Sequence, residues 1–274
     1  MNNKFSVVMA TYVGDHPPHV YLAAQSIFHQ RRQPAELIIV VDGQVSVAHE
    51  KIFEDISELG NVCFIRNNVN VGPGQARHHG IMASSYDIVA IMDADDICLP
   101  ERFEKQLAVL TKDGADIVGG WIVEFDDSSD DSTGTIRSVP ETHEDILRLA
   151  KWRSPMNNVT IMFKKKAYVK AGGFANMRCF EDYDLFYRML AQGTRFHNIP
   201  QVLVKVRSGL DMYKRRGGWQ QIPVEAALLG RMRKAGFISC SEYLTNLFVR
   251  TAMRILPNSI RRLAYLIFLR RRKI

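Results

Sequence analysis

The chain has 274 residues, of which 46% are hydrophobic, and a formal net charge of +7. That length and composition can bury one large core or two small ones. The charge is uneven, because residues 231–274 hold eleven Lys or Arg side chains against one Glu, which leaves the preceding residues at about −3. This distribution excludes a basic binding face on the core and favours a localised surface contact near the C-terminus.

Nothing in the sequence indicates export or a membrane span. The N-terminus leads straight into a strand-like segment, without the pattern of a secretory signal. No apolar run approaches the roughly 20 residues that a membrane-spanning helix needs. The four cysteines form no CxxC pair and show no metal spacing, which is typical of small buried apolar groups in a reducing compartment. We therefore expect a cytoplasmic protein.

Strands and helices alternate along the first part of the chain. Strands are predicted over residues 5–11, 35–42 and 62–66, and helices over 17–30 and 47–59. This alternation predicts a parallel sheet with right-handed βαβ crossovers.

A glycine-rich turn follows, with Gly72 and Gly74 on either side of a proline and ahead of a helix of small residues. Such a turn can present backbone N–H groups and a helix N-terminus to an anion. The alternative is simply a tight turn. Arg77 lies one turn into the helix, where the macrodipole does not favour a cation, so its position hints at a ligand. The following His78 and His79 have no partner at metal-ligand spacing and are expected to be structural.

An unbroken apolar run over 88–92 predicts a strand buried on both faces of the sheet. It ends at three carboxylates, Asp93, Asp95 and Asp96, and Pro100 then begins a predicted helix over about 100–112. Carboxylates at the C-terminal end of a central strand lie where α/β folds bind ligands. Their hard oxygen atoms suit Mg²⁺ or Mn²⁺ shared with a diphosphate. An acidic surface turn that caps the next helix is the alternative.

The regular alternation weakens after a predicted strand over 115–125 and a loop rich in Asp and Ser over 126–134. We expect the chain from residue 136 onward to form a second layer over the C-terminal edge of the sheet. Within this layer, a strand is predicted over 159–163 and a helix that opens at Glu181 and Asp182. The alternative role for these two carboxylates is N-capping, worth about 1 kcal/mol.

A short strand over 202–206 leads to Arg207 and then to a basic loop over 212–218 that contains Tyr213, Lys214 and Arg215. A basic loop that ends in glycine suits phosphate groups if it lies beside a metal site. A solvated run of charges is the alternative.

Three helices are predicted at the C-terminus, over 220–235, 239–256 and 258–272. The last of them carries an apolar stripe beside Arg261, Arg262 and the basic run 270–273. A helix of this composition is typical of one that lies in a membrane interface. A helix packed on the core is the alternative.

Five short motifs in this order resemble family 2 glycosyltransferases with the GT-A fold, and the likeness extends over about residues 4–207. The motifs are Ser6-Val-Val-Met-Ala-Thr-Tyr12, Ile38-Ile-Val-Val-Asp42, Asn70-Val-Gly-Pro-Gly-Gln-Ala-Arg77, Asp93-Ala-Asp95-Asp96 and Glu181-Asp182. The stretches 156–163 and 212–218 are similar to a bacterial subgroup that builds O-antigen and exopolysaccharide repeats.

The resemblance implies an α/β fold of the GT-A type, a Rossmann-like mixed sheet flanked by helices, with a C-terminal helical tail. It implies a catalytic domain over 1–218, with a nucleotide-sugar half over about 1–125 and an acceptor half over about 126–218. Residues 219–274 are expected to form a basic helical region that associates with the inner membrane surface.

The resemblance also implies roles for individual residues. Thr11, Tyr12 and Asp42 would hold the uridine, Arg77 and Asp93 the nucleotide, and Asp95 the Mn²⁺ or Mg²⁺ on the diphosphate. Asp182 would be the catalytic base, with Glu181 beside it. The acceptor phosphates would meet Arg207, Tyr213, Lys214 and Arg215. One departure is His78, where the family often has Asn. The Gln-x-x-Arg-Trp motif of processive members is absent, which favours transfer of a single sugar.

The expected activity is therefore inverting transfer of a hexose from a UDP-sugar to a lipid-diphosphate-linked saccharide at the cytoplasmic face of the inner membrane. A metal-dependent nucleotidyltransferase would also need clustered Asp residues beside a glycine-rich turn, but it would release pyrophosphate. A nucleic-acid-binding protein would explain the basic tail, although the core lacks an aromatic and basic face, so no nucleic-acid partner is expected.

Overall fold

The residues that the structure describes form ten strands in one mixed sheet. The computed structural model describes residues 4–125, 134–177, 179–207, 221–255 and 271–272. Apolar side chains pack on both faces of the sheet. One core cluster includes residues of the helices over 17–28, 47–57 and 102–112. The other includes residues of the helices over 73–83 and 181–191. All four cysteines are free. Cys98 is buried as predicted, whereas Cys63 and Cys240 are exposed, so the prediction of buried side chains is wrong for these two.

The first half of the sheet is parallel, as the sequence predicts. Its strands lie in the order β3-β2-β1-β4 and are β1 (Ser6–Thr11), β2 (Glu36–Asp42), β3 (Val62–Asn67) and β4 (Ile88–Asp93). The intervening helices are α1 (Pro17–Phe28), α2 (Val47–Ser57) and α3 (Pro73–Ala83). Since parallel strands end at one edge, the residues after β1, β2 and β4 share the C-terminal edge of the sheet.

The second half adds antiparallel pairings. Its elements are β5 (Ile97–Cys98), α4 (Arg102–Lys112), β6 (Ile117–Phe125), β7 (Thr135–Arg137), α5 (His143–Ala150), β8 (Met162–Lys164), α6 (Lys165–Lys170), α7 (Glu181–Ala191) and β9 (Phe196–Arg207). Strand β8 lies antiparallel between β4 and β6, whereas β9 runs parallel to β6 and antiparallel to β5. The sheet is therefore mixed.

Several short elements differ from the sequence-based predictions. The predicted strand over 159–163 begins as a 3-10 turn, Asn158–Thr160, so that only Met162–Lys164 pairs in the sheet. Strand β9 begins six residues earlier than predicted, and β5, β7, α5 and α6 were not predicted. The two- and three-residue strands depend on partners that are distant in the chain, so local periodicity does not mark them.

The predicted C-terminal helices over 220–235 and 239–256 correspond to α8 (Ile222–Lys234) and α9 (Cys240–Ile255). Helix α8 packs on α7 in a buried cluster of six residues: Tyr183, Tyr187, Leu228, Leu229, Met232 and Ile238. An ion pair of 3.0 Å between Arg231 and the buried Asp184 joins the same two helices. Helices α8 and α9 thus cover the face of α7 that carries Tyr183 and Tyr187.

The predicted helix over 258–272 falls mostly outside the described residues. At its end the prediction is wrong, because Arg271–Arg272 form a short strand, β10, antiparallel to β7. An open sheet edge offers unpaired backbone groups to such a segment, which sequence periodicity does not reveal. None of the helices in the described ranges is long and apolar enough to cross a membrane.

Candidate active site

Three chain segments meet at the C-terminal edge of the sheet. They are the end of β4, the N-terminus of α3 and the N-terminus of α7. Arg77 of α3 joins them, since its Nη2 lies 2.7 Å from Asp93 Oδ1 and its Nη1 lies 3.3 Å from Glu181 Oε1. The fold therefore brings together three residues that are up to 104 positions apart in the chain.

The Arg77 side chain is only 11% exposed. Burial by itself lowers the pKa of a guanidinium, but the charges of Asp93 and Glu181 outweigh it and raise the pKa of Arg77. The unfavourable position of this cation near a helix N-terminus suggested a ligand. The structure gives a different reason, because two protein carboxylates hold the side chain there.

The N-terminus of α7 is held in an unusual backbone conformation. Its N-cap residue, Phe180, has φ 62°, a left-handed conformation that a bulky residue seldom adopts. The next residue, Glu181, lies against the glycine-rich turn, where a Cβ built on Gly74 would come within 2.9 Å of Glu181 Cγ. A glycine at position 74 is thus what allows the two helix ends to approach.

Asp182 does not occupy the N-cap position. It lies in the first turn of α7, and its Oδ1 accepts a hydrogen bond of 2.8 Å from the N–H of Tyr183. A carboxylate has about four acceptor positions, so this bond leaves capacity for a further donor. The prediction that Asp182 is the N-cap is therefore wrong, because Phe180 holds that position. The Asp182 side chain does, however, accept one N–H of the first helical turn.

Burial shifts the pKa of both adjacent carboxyl groups. Burial, with the charge of Asp182, raises the pKa of Glu181 from 4.5 to about 7, although Arg77 opposes the shift. Burial also raises the pKa of Asp182, while the N–H of Tyr183 and the charges of Arg77 and Arg137 oppose it. Arg137, at the end of β7, thus acts on Asp182. Sequence reasoning missed this residue because it did not predict the strand that carries it.

The raised pKa of Glu181 leads to a prediction about stability. Between about pH 4.5 and 7 the folded protein holds a proton that the unfolded chain has lost, so the contribution of Glu181 to the free energy of unfolding falls as the pH rises. Glu181→Gln, which cannot ionise, should therefore show a flatter dependence of the thermal midpoint on pH over that range.

Thermal melts of the ligand-free protein at intervals from pH 4.5 to 8 would measure this. Glu54→Gln, at an exposed position of α2, is the control and should follow the unsubstituted protein. Parallel curves for Glu181→Gln and the unsubstituted protein would contradict the prediction.

The glycine-rich turn is fastened to β2 by Asp42. The Asp42 carboxylate accepts hydrogen bonds from Asn67 Nδ2 at 2.8 Å and from the N–H groups of Val71 and Gly72, each at 2.9 Å. Two of the N–H groups that could have faced an anion are therefore used inside the protein. A contact of Asp42 with uridine stays a prediction, and the structure adds that Asp42 shapes the turn leading to Arg77.

The residues after β1 form a second fixed turn. Asp15 Oδ2 accepts hydrogen bonds from Thr11 Oγ1 at 2.9 Å and from the N–H of Tyr12 at 3.1 Å. His49 Nε2 lies 3.0 Å from the carbonyl oxygen of Asp15, which links this turn to α2. The Tyr12 residue is 42% exposed and can meet a ligand at the edge. The sequence analysis did not identify Asp15. The one feature that could have indicated it is its position, four residues after the end of β1.

The acidic turn after β4 is joined to the end of β9 by Arg207. The N–H of Arg207 donates to Asp96 Oδ1 at 2.9 Å, and its Nε donates to the Asp95 carbonyl oxygen at 3.0 Å. Its guanidinium stacks on Phe125, 4.9 Å from the ring centroid. Burial, and then the charges of Asp95 and Asp93, raises the pKa of Asp96 well above its usual value. The predicted phosphate residue Arg207 is thus adjacent to the predicted metal residue, whereas Tyr213, Lys214 and Arg215 lie outside the described residues.

The donor atoms near Asp95 can be compared with the needs of a divalent cation. The described residues contain no group of three or more His, Cys, Asp or Glu side chains that could hold a metal by themselves. Asp93 is paired with Arg77, and Asp96 accepts a backbone N–H. Magnesium is usually held by one or two carboxylates together with water and substrate phosphates. The acidic turn could therefore supply one or two carboxylates to an ion that arrives with a diphosphate, and Asp95 as the metal ligand stays a prediction.

Comparison with known proteins decides the family. A sequence model described as glycosyl transferase family 2 matches residues 6–180. The chain belongs to glycosyltransferase family 2. The resemblance seen in the sequence motifs is thereby confirmed, and neither the nucleotidyltransferase nor the nucleic-acid-binding alternative is favoured.

Relatives of this glycosyltransferase cover nearly the whole chain. It is 35% identical over 269 residues to an Escherichia coli protein named UDP-Gal:alpha-D-GlcNAc-diphosphoundecaprenol beta-1,3-galactosyltransferase, with 98% of this chain and 97% of that protein covered. It is 30% identical over 265 residues to the amylovoran biosynthesis glycosyltransferase AmsE of Erwinia amylovora, covering 95% and 97% respectively. The match to bacterial polysaccharide glycosyltransferases is therefore confirmed.

A solved structure shows the same fold. The S. aureus TarS fragment 1–349, in complex with UDP-GlcNAc, superposes with a TM-score of 0.68 at 15% identity, covering 97% of this chain and 73% of that fragment. At this identity the match shows the fold alone, and it confirms the predicted GT-A architecture. Enzymes of this family generally use divalent metal ions.

Proposed function

We propose that this glycosyltransferase moves a hexose from a UDP-sugar to a saccharide carried on a lipid diphosphate, with inversion at the anomeric carbon, in O-antigen or exopolysaccharide assembly. The observation that carries the proposal is the cluster in which Arg77 joins Asp93 to Glu181, next to Asp182. The proposed base, Asp182, would then lie beside the sheet edge where a nucleotide would bind. The names of the relatives support the substrate class, and the cluster supports the proposed residue roles.

The donor nucleotide would lie along the C-terminal edge of the parallel strands. Tyr12, on the turn fixed by Asp15, would face the uridine together with Thr11 and Asp42. Arg77 and Asp93 would meet the remainder of the nucleotide. Because these turns are already fixed by internal hydrogen bonds, little conformational entropy would be lost when the donor binds.

Asp95, at the acidic turn, would hold Mn²⁺ or Mg²⁺ together with the diphosphate oxygens. When bound, the ion would act as a Lewis acid and neutralise the charge on the departing UDP. Arg207, held against Asp95 and Asp96, would add a fixed positive charge at the same place. With Tyr213, Lys214 and Arg215 it would also meet the acceptor diphosphate.

The proton would pass to Asp182. As the acceptor oxygen bonds to the anomeric carbon from one face, the bond from that carbon to the UDP oxygen breaks on the other face, which inverts the configuration. The acceptor hydroxyl then gives its proton to the Asp182 carboxylate, and UDP leaves with the electron pair of the broken bond. Glu181, held by Arg77, would keep the first turn of α7 in place.

The proposed organisation has a nucleotide-sugar half over about 1–125, an acceptor half over about 126–218 and a C-terminal region over 219–274 that meets the membrane. Helices α8 and α9 support α7 in this arrangement through the buried cluster around Tyr183. We further propose that the protein acts at the cytoplasmic face of the inner membrane, where it would meet its acceptor.

A panel of UDP-sugars with synthetic lipid-diphosphate saccharides tests the function. Transfer of one hexose, release of UDP without pyrophosphate, and an inverted anomeric configuration by NMR are the expected results. Release of pyrophosphate from a nucleoside triphosphate would overturn the proposal in favour of a nucleotidyltransferase. Retention of configuration would overturn the single-displacement mechanism.

The basic C-terminus gives a second prediction. With about +10 charge over 231–274, the protein should bind anionic vesicles, and binding should weaken as salt rises, because each basic residue near the surface contributes about 1 kcal/mol. Arg261→Gln combined with Arg262→Gln, which keeps β10 paired with β7, should weaken vesicle binding and leave transfer to a short-chain soluble acceptor largely intact. Vesicle sedimentation measures the first effect and a steady-state assay the second. Unchanged vesicle binding in this variant would contradict the membrane role of the segment.

A further inference from the structure

The first residue of α4 is a charged side chain that is completely buried. Arg102 is 0% exposed, and its guanidinium lies 5.1 Å from the centroid of the Phe103 ring. Among the described residues it donates to one carbonyl oxygen, one amide oxygen and two sulfur atoms, and it forms no ion pair with a carboxylate. An arginine is almost never fully buried without a charged partner, because removal of its charge from water is costly. The burial of Arg102 therefore requires an explanation.

The shortest contact of Arg102 is made with the end of β4. Its Nη2 donates to the carbonyl oxygen of Ile91 at 2.6 Å, two residues before Asp93. The strand pairing between β4 and β8 ends one residue before Ile91, because the chain ahead of β8 forms the 3-10 turn Asn158–Thr160. The Arg102 side chain thus takes the place of a strand partner where β4 approaches the acidic turn.

The same guanidinium holds both ends of the acidic turn. Its Nη1 lies 3.3 Å from Met92 Sδ, before the three aspartates, and 3.2 Å from Cys98 Sγ, after them. Cys98 belongs to β5, which pairs with β9, the strand that ends at Arg207. Because thioether and thiol groups are weak acceptors, these contacts offset little of the cost of burying a charge. They do fix the distance between the two ends of the turn.

The charge of Arg102 has a counterpart in the acidic turn. Burial raises the pKa of the Cys98 thiol, the charge of Arg102 opposes this shift, and the charge of Asp96 adds to it. Both charges therefore lie near one thiol. Asp96 is itself only 3% exposed, and Coulomb interactions are weakly screened where water is excluded. A cation buried behind three neighbouring carboxylates offsets the repulsion between them.

The Arg102 side chain is itself held in one position. Gln106, one turn later in α4, accepts from Arg102 Nε at 3.1 Å. Its Nε2 donates to the carbonyl oxygens of Val118 at 3.0 Å and Thr160 at 2.6 Å. Gln106 is also 0% exposed. The guanidinium is thus fixed relative to the sheet, which is the kind of supporting layer that keeps a functional site rigid.

We propose that Arg102 is a positioning residue, whose buried guanidinium fixes the acidic turn so that Asp95 is held ready for the metal ion that arrives with the donor diphosphate. It would act through the backbone of Ile91 and through its charge, without contact with the substrate. The inference rests on the proposed function and adds a residue to which the sequence analysis gave no role. Arg102 lay inside a predicted helix, and only the tertiary structure shows that it is buried behind the turn.

Two substitutions of Arg102 and one control test the proposal. Arg102→Met removes the charge and the hydrogen bonds and keeps an unbranched apolar stem. Arg102→Lys keeps the charge and loses the planar fork that reaches several acceptors at once. Leu110→Ala is the matched control, because Leu110 is buried in the same helix more than two turns further along. The thermal midpoint of each full-length variant is measured, so that loss of stability is separated from loss of positioning.

Titration of UDP with Mn²⁺, and again in excess chelator, measures the part of the UDP affinity that depends on the metal. For Arg102→Met we expect the affinity with Mn²⁺ to fall about 10–100-fold, the range for loss of an outer partner of a metal site, and the affinity in chelator to stay unchanged. Arg102→Lys should show a smaller loss of the same kind. Leu110→Ala should keep the full metal dependence even where its thermal midpoint is lower.

Hydrogen exchange of the ligand-free protein gives a readout that needs neither metal nor substrate. Backbone amides over residues 92–98 should exchange faster in Arg102→Met than in the unsubstituted protein, because the turn has lost its support. The same amides should be unaffected in Leu110→Ala. Equal exchange over 92–98 in Arg102→Met and the unsubstituted protein would contradict the positioning role.

The titrations can also overturn the proposal. Normal metal dependence in Arg102→Met would do so, as would an equal loss of UDP affinity with and without metal, or the same loss in Leu110→Ala. If Arg102→Met does not fold, Arg102→Lys is measured in the same way, and normal metal dependence in that variant would overturn the role. An unsubstituted enzyme that binds UDP with Mn²⁺ but transfers no sugar from any UDP-sugar would instead overturn the proposed function, while the titrations would still decide the role of Arg102.

Discussion

Asp182→Asn should lower kcat by about 10²–10⁴-fold while UDP-sugar binding persists, because general-base catalysis contributes rate enhancement of that size. The substitution removes the proton acceptor and barely alters shape. The retained Oδ1 of the amide can still accept the N–H of Tyr183, as the carboxylate does at 2.8 Å. A role limited to holding the first turn of α7 would therefore leave Asp182→Asn nearly silent, since Asn is as good a cap as Asp.

Glu181→Gln in parallel tests which of the adjacent carboxylates is the base. Glu181 is engaged by Arg77 at 3.3 Å and lies against Gly74, which suits a positioning role. We expect this variant to keep most of its turnover. Single-turnover rates and donor affinities for both variants would measure the difference. Near-normal turnover for Asp182→Asn together with a collapse for Glu181→Gln would assign the base to Glu181, and near-normal turnover for both would place it elsewhere.

Asp95→Ala should abolish transfer and metal-dependent UDP binding together. Loss of an outer partner of a metal typically costs about 10–100-fold in affinity, and loss of the ligand itself should cost at least that much. The fold should survive, because Arg207 Nε bonds to the backbone carbonyl oxygen of residue 95, which the substitution keeps. Titration of UDP in the presence of Mn²⁺, and again in excess chelator, would measure how strongly UDP binding depends on the metal.

Asp55→Ala, at an exposed position of α2, is the matched control and should bind UDP with the same metal dependence as the unsubstituted enzyme. Full activity of the unsubstituted enzyme in excess chelator would contradict the metal assignment. So would an Asp95→Ala variant whose UDP affinity still depends on Mn²⁺ to the normal extent.

Short sequence patterns predict much of the secondary structure of this protein. The runs 36–42 and 88–93 are rich in apolar residues that favour strands buried on both faces. They form β2 and β4, which lie on either side of β1 in the sheet. Glycine before and after a proline, followed by small residues, predicted the start of α3. The order of motifs along the chain was enough to indicate the family that the comparisons confirm.

Other features of the site were beyond the sequence. Arg77 suggested a ligand because its local position is unfavourable, and only the meeting of α3, β4 and α7 showed that Asp93 and Glu181 are its partners. Arg137 reaches the neighbourhood of Asp182 on β7, a three-residue strand that pairs with β6. Such a strand is stabilised by its neighbours and leaves little periodic signal of its own.

The sequence by itself determined the alternation of strands and helices, the parallel half of the sheet, and which carboxylates follow strand ends, because these depend on side-chain periodicity over a few residues. Tertiary structure alone decided which carboxylates are paired with cations and which pKa values are raised. These properties depend on burial and on charges brought together across more than a hundred residues, as with Arg77 and Glu181. Desolvation and Coulomb interactions act through space, so chain order does not encode them in any short pattern.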